Sequence, residues 1–167
     1  MKIKRLIINT LTDTVAKDPD AINISDYKIG NCLGCTHCWL KNPGICAVKD
    51  DWEMLFKEIL KADIVIFIAE AKLGFVSYQM KNIVDRLLPI ALPNTILDKG
   101  EMRHKKRYEK SANMGLIYQG EGDKEFLSEW LGRVTLNFFS KSLGVYHIEE
   151  REEITHEFGN IQLLPKV

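Results

Sequence analysis

The sequence predicts an α/β fold in which a parallel sheet of five strands has the spatial order 2-1-3-4-5. Short apolar segments alternate along the chain with longer segments whose apolar residues recur at helical spacing. This alternation is typical of parallel strands joined by right-handed helical crossovers. In addition, residues 63–69 are apolar on both faces, as a strand in the middle of such a sheet has to be.

The size and charge of the chain limit the classes of protein to consider. Its 167 residues predict a single domain, 1–167, with a sizeable core. Lysine plus arginine and aspartate plus glutamate number 23 each, so the basic excess of a general nucleic-acid binder is missing and we expect no nucleic acid as a partner. The sequence has no apolar run as long as a membrane span and no signal-sequence pattern. We therefore expect a cytoplasmic protein without a membrane partner.

The first two strands are predicted at residues 2–9, a β-branched apolar run, and at residues 21–29, which alternate apolar and polar side chains at a sheet edge. Only roughly ten residues separate them, whereas a parallel crossover usually needs a dozen or more, mostly as a helix. The first helix is therefore predicted to be shortened or absent.

The remaining elements follow in regular alternation. A helix begins after Lys49 with Asp50 or Asp51 as its N-cap, and the tail from Glu149 is expected to pack on the domain or on a second subunit. Pro89 is expected to bend or end the next helix. The further predicted elements are strands at residues 63–69, 111–118 and 145–148, helices at residues 76–92 and 124–141, and loops at residues 70–75 and 93–110.

All four cysteines of the chain lie in one short segment with the spacing C-x2-C-x2-C-x7-C. In a reducing compartment such cysteines are metal ligands or redox thiols more often than disulfides, and neighbours in one loop would close very small rings. Three consecutive cysteines at x2 spacing with a more distant fourth resemble iron–sulfur ligation, whereas structural zinc more often uses two separated C-x2-C pairs. We rank a [4Fe-4S] cluster first, free or redox-active thiols second and zinc third. The candidate metal ligands are Cys32, Cys35, Cys38 and Cys46.

Ligands in an open parallel sheet bind outside the carboxyl ends of the strands, near the switch in strand order. Three segments of this chain are predicted to lie there, at residues 9–13, 69–75 and 119–123. The third has two glycines that let backbone N–H groups approach a ligand closely, although a tight turn into the next helix explains the same glycines equally well.

The residues around the cysteines resemble a known family. The pattern begins with Cys32-Leu-Gly-Cys35-Thr-His-Cys38, continues through Cys46, Asp50-Asp51 and the segment Ala62-Asp63-Ile64-Val65-Ile66-Phe67, and ends with Gly74, Ser77, Lys81, Asp85 and Arg86. On these residues the chain is identified as a divergent member of the flavodoxin-like NAD(P)H-dependent FMN reductase and iron–sulfur flavoprotein family. The match covers residues 22–88, and the order of the elements supports it beyond that range.

The resemblance implies an FMN cofactor, with a [4Fe-4S] cluster near it in members that carry all four cysteines in this compact form. It also implies NAD(P)H or a ferredoxin-like protein as electron donor, and a homo-oligomer. No residue is assigned a catalytic role. The residues implied for the flavin site are Thr10, Thr12, Ala69, Glu70, Ala71, Lys72, Leu73, Gly74, Phe75, Gln119, Gly120 and Gly122.

Two departures from the family pattern fall on this flavin site. The stretch TLTDTVAKDPD after the first strand has no glycine and no room for the helix whose N-terminus would hold the FMN phosphate. Its threonine hydroxyls would replace some donors, whereas Asp13 would repel a phosphate. The aromatic residue expected before Gly74 is missing, which leaves Leu73 or Phe75 to flank the flavin ring.

Two functions therefore remain open from the sequence. The first is an FMN-dependent NAD(P)H oxidoreductase or an electron-transfer iron–sulfur flavoprotein. The second is a flavin-less relative that acts as a cysteine-rich metal-binding or interaction protein. The missing phosphate loop favours the second function, and the intact pattern around the cysteines favours the first.

Overall fold

The fold was analysed in a computed structural model that describes residues 3–98 and 100–165. Residue 2 of the predicted first strand, residue 99 of the predicted loop and the last two residues of the tail lie outside the described residues.

Five parallel strands form the main sheet, in the order β3-β1-β4-β7-β8. Numbered within this sheet alone, that order is 2-1-3-4-5, so the predicted fold class is confirmed. Its strands are β1 (Arg5–Asn9), β3 (Ala21–Asn23), β4 (Ile64–Val76), β7 (Asn113–Gly122) and β8 (Ser142–His147). The other strands are β2 (Thr14–Ala16), β5 (Ala91–Asp98), β6 (Glu101–Lys106) and β9 (Leu163–Pro165).

Three helices cover one face of the sheet, and their amphipathic sequences explain the arrangement. Alternate strand residues, such as Ile8 and Phe67, point to this face and join the apolar sides of the helices in the larger hydrophobic core. The helices are α2 (Trp52–Lys61), α3 (Tyr78–Asp85) and α4 (Lys124–Asn137), preceded along the chain by the one-turn helix α1 (His37–Leu40). Two 3-10 turns, Ile24–Asp26 and Leu88–Ile90, complete this part of the chain.

The opposite face has no helix between β1 and β3. The connection instead contains β2, which pairs antiparallel with β9 near the end of the chain. The helix α5 (Arg151–Phe158) packs Ile154 and Phe158 against Ile7, Ile66 and neighbouring side chains of this face. The first helix is therefore absent, as expected, and the tail from Glu149 packs on the domain, covering apolar surface that would otherwise be exposed.

Two predicted loops are wrong. Residues 70–75 continue β4 as a strand to Val76, because β7 also extends to Gly122 and offers a partner for its backbone. Within the predicted loop 93–110, β5 and β6 form an antiparallel hairpin. The helix predicted at residues 124–141 ends at Asn137, and the one predicted at 76–92 ends at Asp85, with Pro89 in the following 3-10 turn.

No helix within residues 3–98 and 100–165 combines the length and the apolar character that crossing a membrane requires.

Candidate functional site

The cysteine segment leaves the edge strand β3 at the carboxyl end of the sheet and leads into α2. Gly34 and Thr36 have φ angles of 61° and 53°, in the left-handed region, and these reverse the chain before α1. Thr36 adopts this conformation without the freedom of a glycine, which indicates that surrounding contacts hold the turn. The one-turn helix α1 then carries Cys38 inward.

The four thiols are free and differ in burial. Cys38 is buried, Cys32 and Cys46 are half-buried, and Cys35 is exposed. Burial raises the pKa of the Cys38 thiol, and the nearby thiol of Cys46 raises it further, followed by those of Cys32 and Cys35. Burial and the neighbouring sulfurs therefore disfavour the thiolate form of Cys38.

The fit of this loop to a metal centre is chemical rather than geometric. Four thiols are the donor set of an iron–sulfur cluster or a structural zinc. Among the residues that the structure describes, however, there is no group of three or more His, Cys, Asp or Glu side chains placed to hold a metal ion. Loading a cluster would thus require the cysteine loop to close, and the metal-ligand roles of the four cysteines stay a prediction.

A buried ion pair anchors the base of the cysteine segment. Arg86, at the end of α3, donates to both carboxylate oxygens of Asp50, at 2.5 and 3.0 Å, and to the Gly30 carbonyl at 2.8 Å. Asp50 in turn accepts the N–H groups of Gly30 and Trp52. Burial alone would raise the pKa of Asp50, but the hydrogen bonds from Arg86, Gly30 and Trp52 together lower it.

The predicted N-cap role of these aspartates is only partly right. Asp51 occupies the N-cap position of α2, but its carboxylate makes no capping hydrogen bond there. It accepts the Lys28 N–H at 2.7 Å instead, while Lys28 accepts the Asp51 N–H at 3.0 Å. Both aspartates thus tie the strand side of the cysteine segment to the start of α2.

Asn82 of α3 links the same base to the first cysteine. Its side-chain oxygen accepts the Cys32 N–H at 3.1 Å, and its side-chain nitrogen donates to the Gly30 carbonyl at 3.1 Å. One amide therefore fixes the backbone on both sides of Asn31, next to Cys32.

The far side of the loop is held by residues near the hairpin. Trp39 donates its indole N–H to the Leu88 carbonyl at 3.0 Å, and its ring lies 4.6 Å from the His104 ring. Arg107 donates to the Pro89 carbonyl at 2.9 Å and approaches the Cys38 carbonyl at 3.5 Å. The cysteine segment is therefore clamped at both ends by α3 and by the chain that follows it.

The residues after β1 do not form a phosphate-binding loop. Thr10 is buried and uses both its N–H and its hydroxyl to bind the Ile68 carbonyl, at 2.8 and 3.0 Å. The Leu11 N–H is bound to the Asn9 side chain at 3.2 Å. Since no helix follows, the stretch lacks the positive helix end that holds a phosphate, and the N–H groups of Thr10 and Leu11 are already bonded. These residues do not fit the phosphate of FMN.

The two predicted ring-lining segments are paired with each other. Ala71 lies opposite Gly120, and Gly74 opposite Gly122, with a bulge between the two pairs. A Cβ on Gly120 would lie 2.6 Å from the Ala71 carbonyl oxygen, so the strands are in close backbone contact here. Their backbone groups therefore bind one another rather than standing free for a ligand.

A cavity of about 200 Å³ lies at the carboxyl end of β1, between the segment after that strand and the first turns of α3. Two predicted site residues, Thr10 and Thr12, line it. A shallower depression shares Asn31, Tyr78 and Asn82 with it and reaches Cys32. The remaining lining residues of the cavity are Leu11, Ile24, Ser25, Tyr27, Ile29, Gln79 and Ile83.

The other predicted flavin residues lie elsewhere. Residues 70–73 and Gly120 line a separate, open groove of about 420 Å³, together with Glu121. The remaining five predicted flavin residues line neither place: Ala69, Gly74, Phe75, Gln119 and Gly122.

Sequence-based prediction missed Tyr27, Tyr78 and Asn82 as lining residues of the cavity beside Cys32. The signal for two of them was present, since Tyr78 and Asn82 directly follow Ser77 and Lys81 of the family pattern and are four residues apart on one side of α3. The Ser77 hydroxyl is buried and has no hydrogen-bond partner among the described residues, but Ser77 lines neither the cavity nor the depression at Cys32.

The parallel sheet with its strand order, and helices on both faces, define a flavodoxin-like α/β protein. No protein-family model matches the chain. An iron-sulfur flavoprotein of Archaeoglobus fulgidus is 30% identical to it over 115 residues, 69% of this chain and 46% of that protein. Two iron-sulfur flavoproteins of Methanocaldococcus jannaschii are 28% and 34% identical, over 52% and 48% of this chain and 46% and 40% of theirs.

A solved structure shares the fold. The crystal structure of RosB with the bound intermediate 8-demethyl-8-formylriboflavin-5'-phosphate matches 95% of this chain and 73% of that chain, with a TM-score of 0.57 and 12% identity. These relatives and the shared fold fit a flavodoxin-like flavoprotein family, which confirms the resemblance drawn from the cysteine segment. The chain spans less than half the length of these curated relatives.

Proposed function

We propose that this chain is a flavin-binding redox protein of the iron–sulfur flavoprotein kind, acting in the cytoplasm. The observation that carries the proposal is the position of the cysteine loop. It is clamped by the Asp50–Arg86 pair and lies beside a cavity at the carboxyl end of β1, where flavodoxin-like sheets bind ligands. The names of the sequence relatives, and the flavin compound bound by RosB, support the same class.

The finer parts of the proposal follow the family resemblance. Cys32, Cys35, Cys38 and Cys46 would hold a [4Fe-4S] cluster. FMN would supply the hydride or one-electron chemistry, with NAD(P)H or a ferredoxin-like protein as donor. Because the segment after β1 does not fit a phosphate, the aromatic side chains of Tyr27 and Tyr78, which line the cavity, are the better candidates for contact with a flavin. A homo-oligomer is part of the same proposal.

A second candidate is a flavin-less relative that uses the cysteines alone, to bind metal or a partner. Two observations favour it. The N–H and hydroxyl of Thr10 both donate to the Ile68 carbonyl, and β4 and β7, which would line a flavin ring, pair with each other.

The experiment is an FMN titration, with iron and sulfide analysis, on anaerobically purified full-length chain. We expect saturable quenching of FMN fluorescence. Tyr78→Ala should lower the affinity for FMN about tenfold, because an aromatic contact is lost. Lys57→Ala, on α2, is the matched control and should leave FMN affinity unchanged. A colourless, iron-free chain that does not quench FMN in large excess would establish the flavin-less alternative.

The metal is tested separately from the flavin. Cys35→Ser should abolish iron binding and the broad iron–sulfur absorbance, whereas Asn42→Ala, in the same exposed loop but without a thiol, should keep both. Zinc in place of iron in the wild-type protein would contradict the cluster while leaving the flavin proposal standing.

A further inference from the structure

A second cavity, of about 240 Å³, lies on the other side of the cysteine loop and shares no lining residue with the cavity at β1. It is enclosed by three parts of the chain: residues 44–50, one side of α2, and Tyr108 after β6. From the loop, Cys46 and Val48 line it, so it adjoins the cysteine segment without belonging to the carboxyl edge of the sheet.

The walls of this cavity are aromatic and apolar. Trp52, Phe56 and Leu60 follow one another at four-residue spacing along α2 and all line it. The rings of Trp52 and Phe56 are stacked with centroids 5.7 Å apart, and Tyr108 meets Phe56 edge-on at 6.3 Å. Three aromatic rings therefore line one space, which suits a planar aromatic guest.

The charges around the cavity favour an anion. Lys49 and Lys57 line it, opposed by Glu53, which pairs with Lys57 at 2.8 Å. The carboxylate of Asp50 also lines it but is neutralised by Arg86. Among the described residues Lys49 is in no ion pair, so its ammonium is the lining charge left for a ligand once Lys57 holds Glu53 and Arg86, outside the cavity, holds Asp50.

We propose that this cavity binds a small aromatic carboxylate, with either a single ring or two fused rings. An apolar cavity of about 150 Å³ is known to hold a benzene molecule, so the larger volume here accommodates a ring of this size with its carboxylate. The ring packs on Phe56 and Tyr108, and the carboxylate faces Lys49. The site does not depend on the flavin, because none of its lining residues belongs to the cavity at β1.

The test is isothermal titration calorimetry of the whole 167-residue chain with 2-naphthoate, repeated in the presence of saturating FMN. We expect saturable binding in both conditions, about threefold to tenfold weaker in Lys49→Ala, since an exposed charge pair contributes modestly. Lys41→Ala, an exposed lysine of the same loop outside the cavity, should bind like the wild type. The cationic analogue 2-naphthylmethylammonium should bind at least tenfold more weakly than 2-naphthoate.

Methyl NMR of the unmodified protein locates the site without any variant. Addition of 2-naphthoate should shift the methyl signals of Val48 and Leu60 and leave those of Ile24 and Ile29, at the other cavity, in place. The proposal is overturned if the shifts fall on Ile24 and Ile29, if no methyl signal moves, or if the cation binds as well as the anion.

Discussion

Arg86 binds both carboxylate oxygens of Asp50 while its side chain is only 1% exposed, and its guanidinium lies 5.1 Å from the centroid of the Trp52 ring. The pair joins the end of α3 to the start of α2. Arg86 also donates to the Gly30 carbonyl, so the same guanidinium holds the backbone at the base of the cysteine segment. Removal of either partner would leave the other charge buried and unpaired.

The change Arg86→Met should therefore destabilise the fold strongly. We expect a loss of about 3–5 kcal/mol in the free energy of unfolding, because a buried charge loses its partner. The measurement is urea denaturation followed by circular dichroism. The double variant Asp50→Asn/Arg86→Met should lose less than the sum of the two single changes, since the interaction is lost only once.

A surface pair on α2 is the matched control for this change. Lys57 and Glu53 are four residues apart and exposed, so Lys57→Met should alter the urea midpoint little. If Lys57→Met lowered the urea midpoint as much as Arg86→Met does, a special role for the buried pair would be contradicted.

The same pair predicts a pH dependence. The pKa of Asp50 in the folded protein lies below its ordinary value of 3.8, so the unfolded chain takes up the proton first as pH falls. The stabilisation that the ionised Asp50 provides is complete above the ordinary pKa of 3.8 and is lost as pH falls through the lower pKa of the folded protein. The stability advantage of the wild type over Asp50→Asn, measured by urea denaturation between pH 6 and pH 3, should thus be constant at first and shrink below about pH 4. An advantage that grew in acid would refute this assignment.

Asn82 should control the mobility of the backbone at Cys32. In Asn82→Ala, the Cys32 N–H loses its acceptor, and a hydrogen bond worth about 1 kcal/mol corresponds to roughly fivefold faster amide exchange. Hydrogen exchange followed by NMR measures the rate directly. The Gly30 N–H, which is held by Asp50, is the internal control and should keep its protection. Unchanged exchange at Cys32 would show that Asn82 does not hold this backbone.

Gly115 should be intolerant of a larger side chain because the ring of Phe158 covers it. A Cβ at this position would lie 2.7 Å from Phe158 Cε1, in the core between β7 and α5. Gly115→Ala should cost about 1–3 kcal/mol by overpacking, as read from thermal or urea unfolding. Gly132→Ala is the comparison, since a Cβ there meets nothing within 4 Å in α4. Combining Gly115→Ala with Phe158→Leu should recover part of the loss, whereas strict additivity would exclude this contact as the cause.

Sequence patterns predicted the sheet order and the absence of the first helix, because both depend on local features: apolar runs, helical spacing and the length of the connection after β1. The strand extension through residues 70–75 was missed for a nonlocal reason. The stretch is a strand only because β7 continues beside it, up to the pairing of Gly74 with Gly122. The hairpin of β5 and β6 was missed for the same reason, since polar residues on both strands hide the alternation of a buried face.

The sequence by itself determined the family resemblance and the grouping of the four thiols in one loop, because the cysteine spacing and the pattern containing Asp50 and Arg86 can be read without coordinates. Only the tertiary structure decided how these parts are used. It showed that Asp50 and Arg86, 36 positions apart, form an ion pair at the base of the cysteine segment. It also showed that the Thr10 hydroxyl donates to the Ile68 carbonyl. Hydrogen-bond partners and cavities arise from side chains distant in the chain, so no local pattern specifies them.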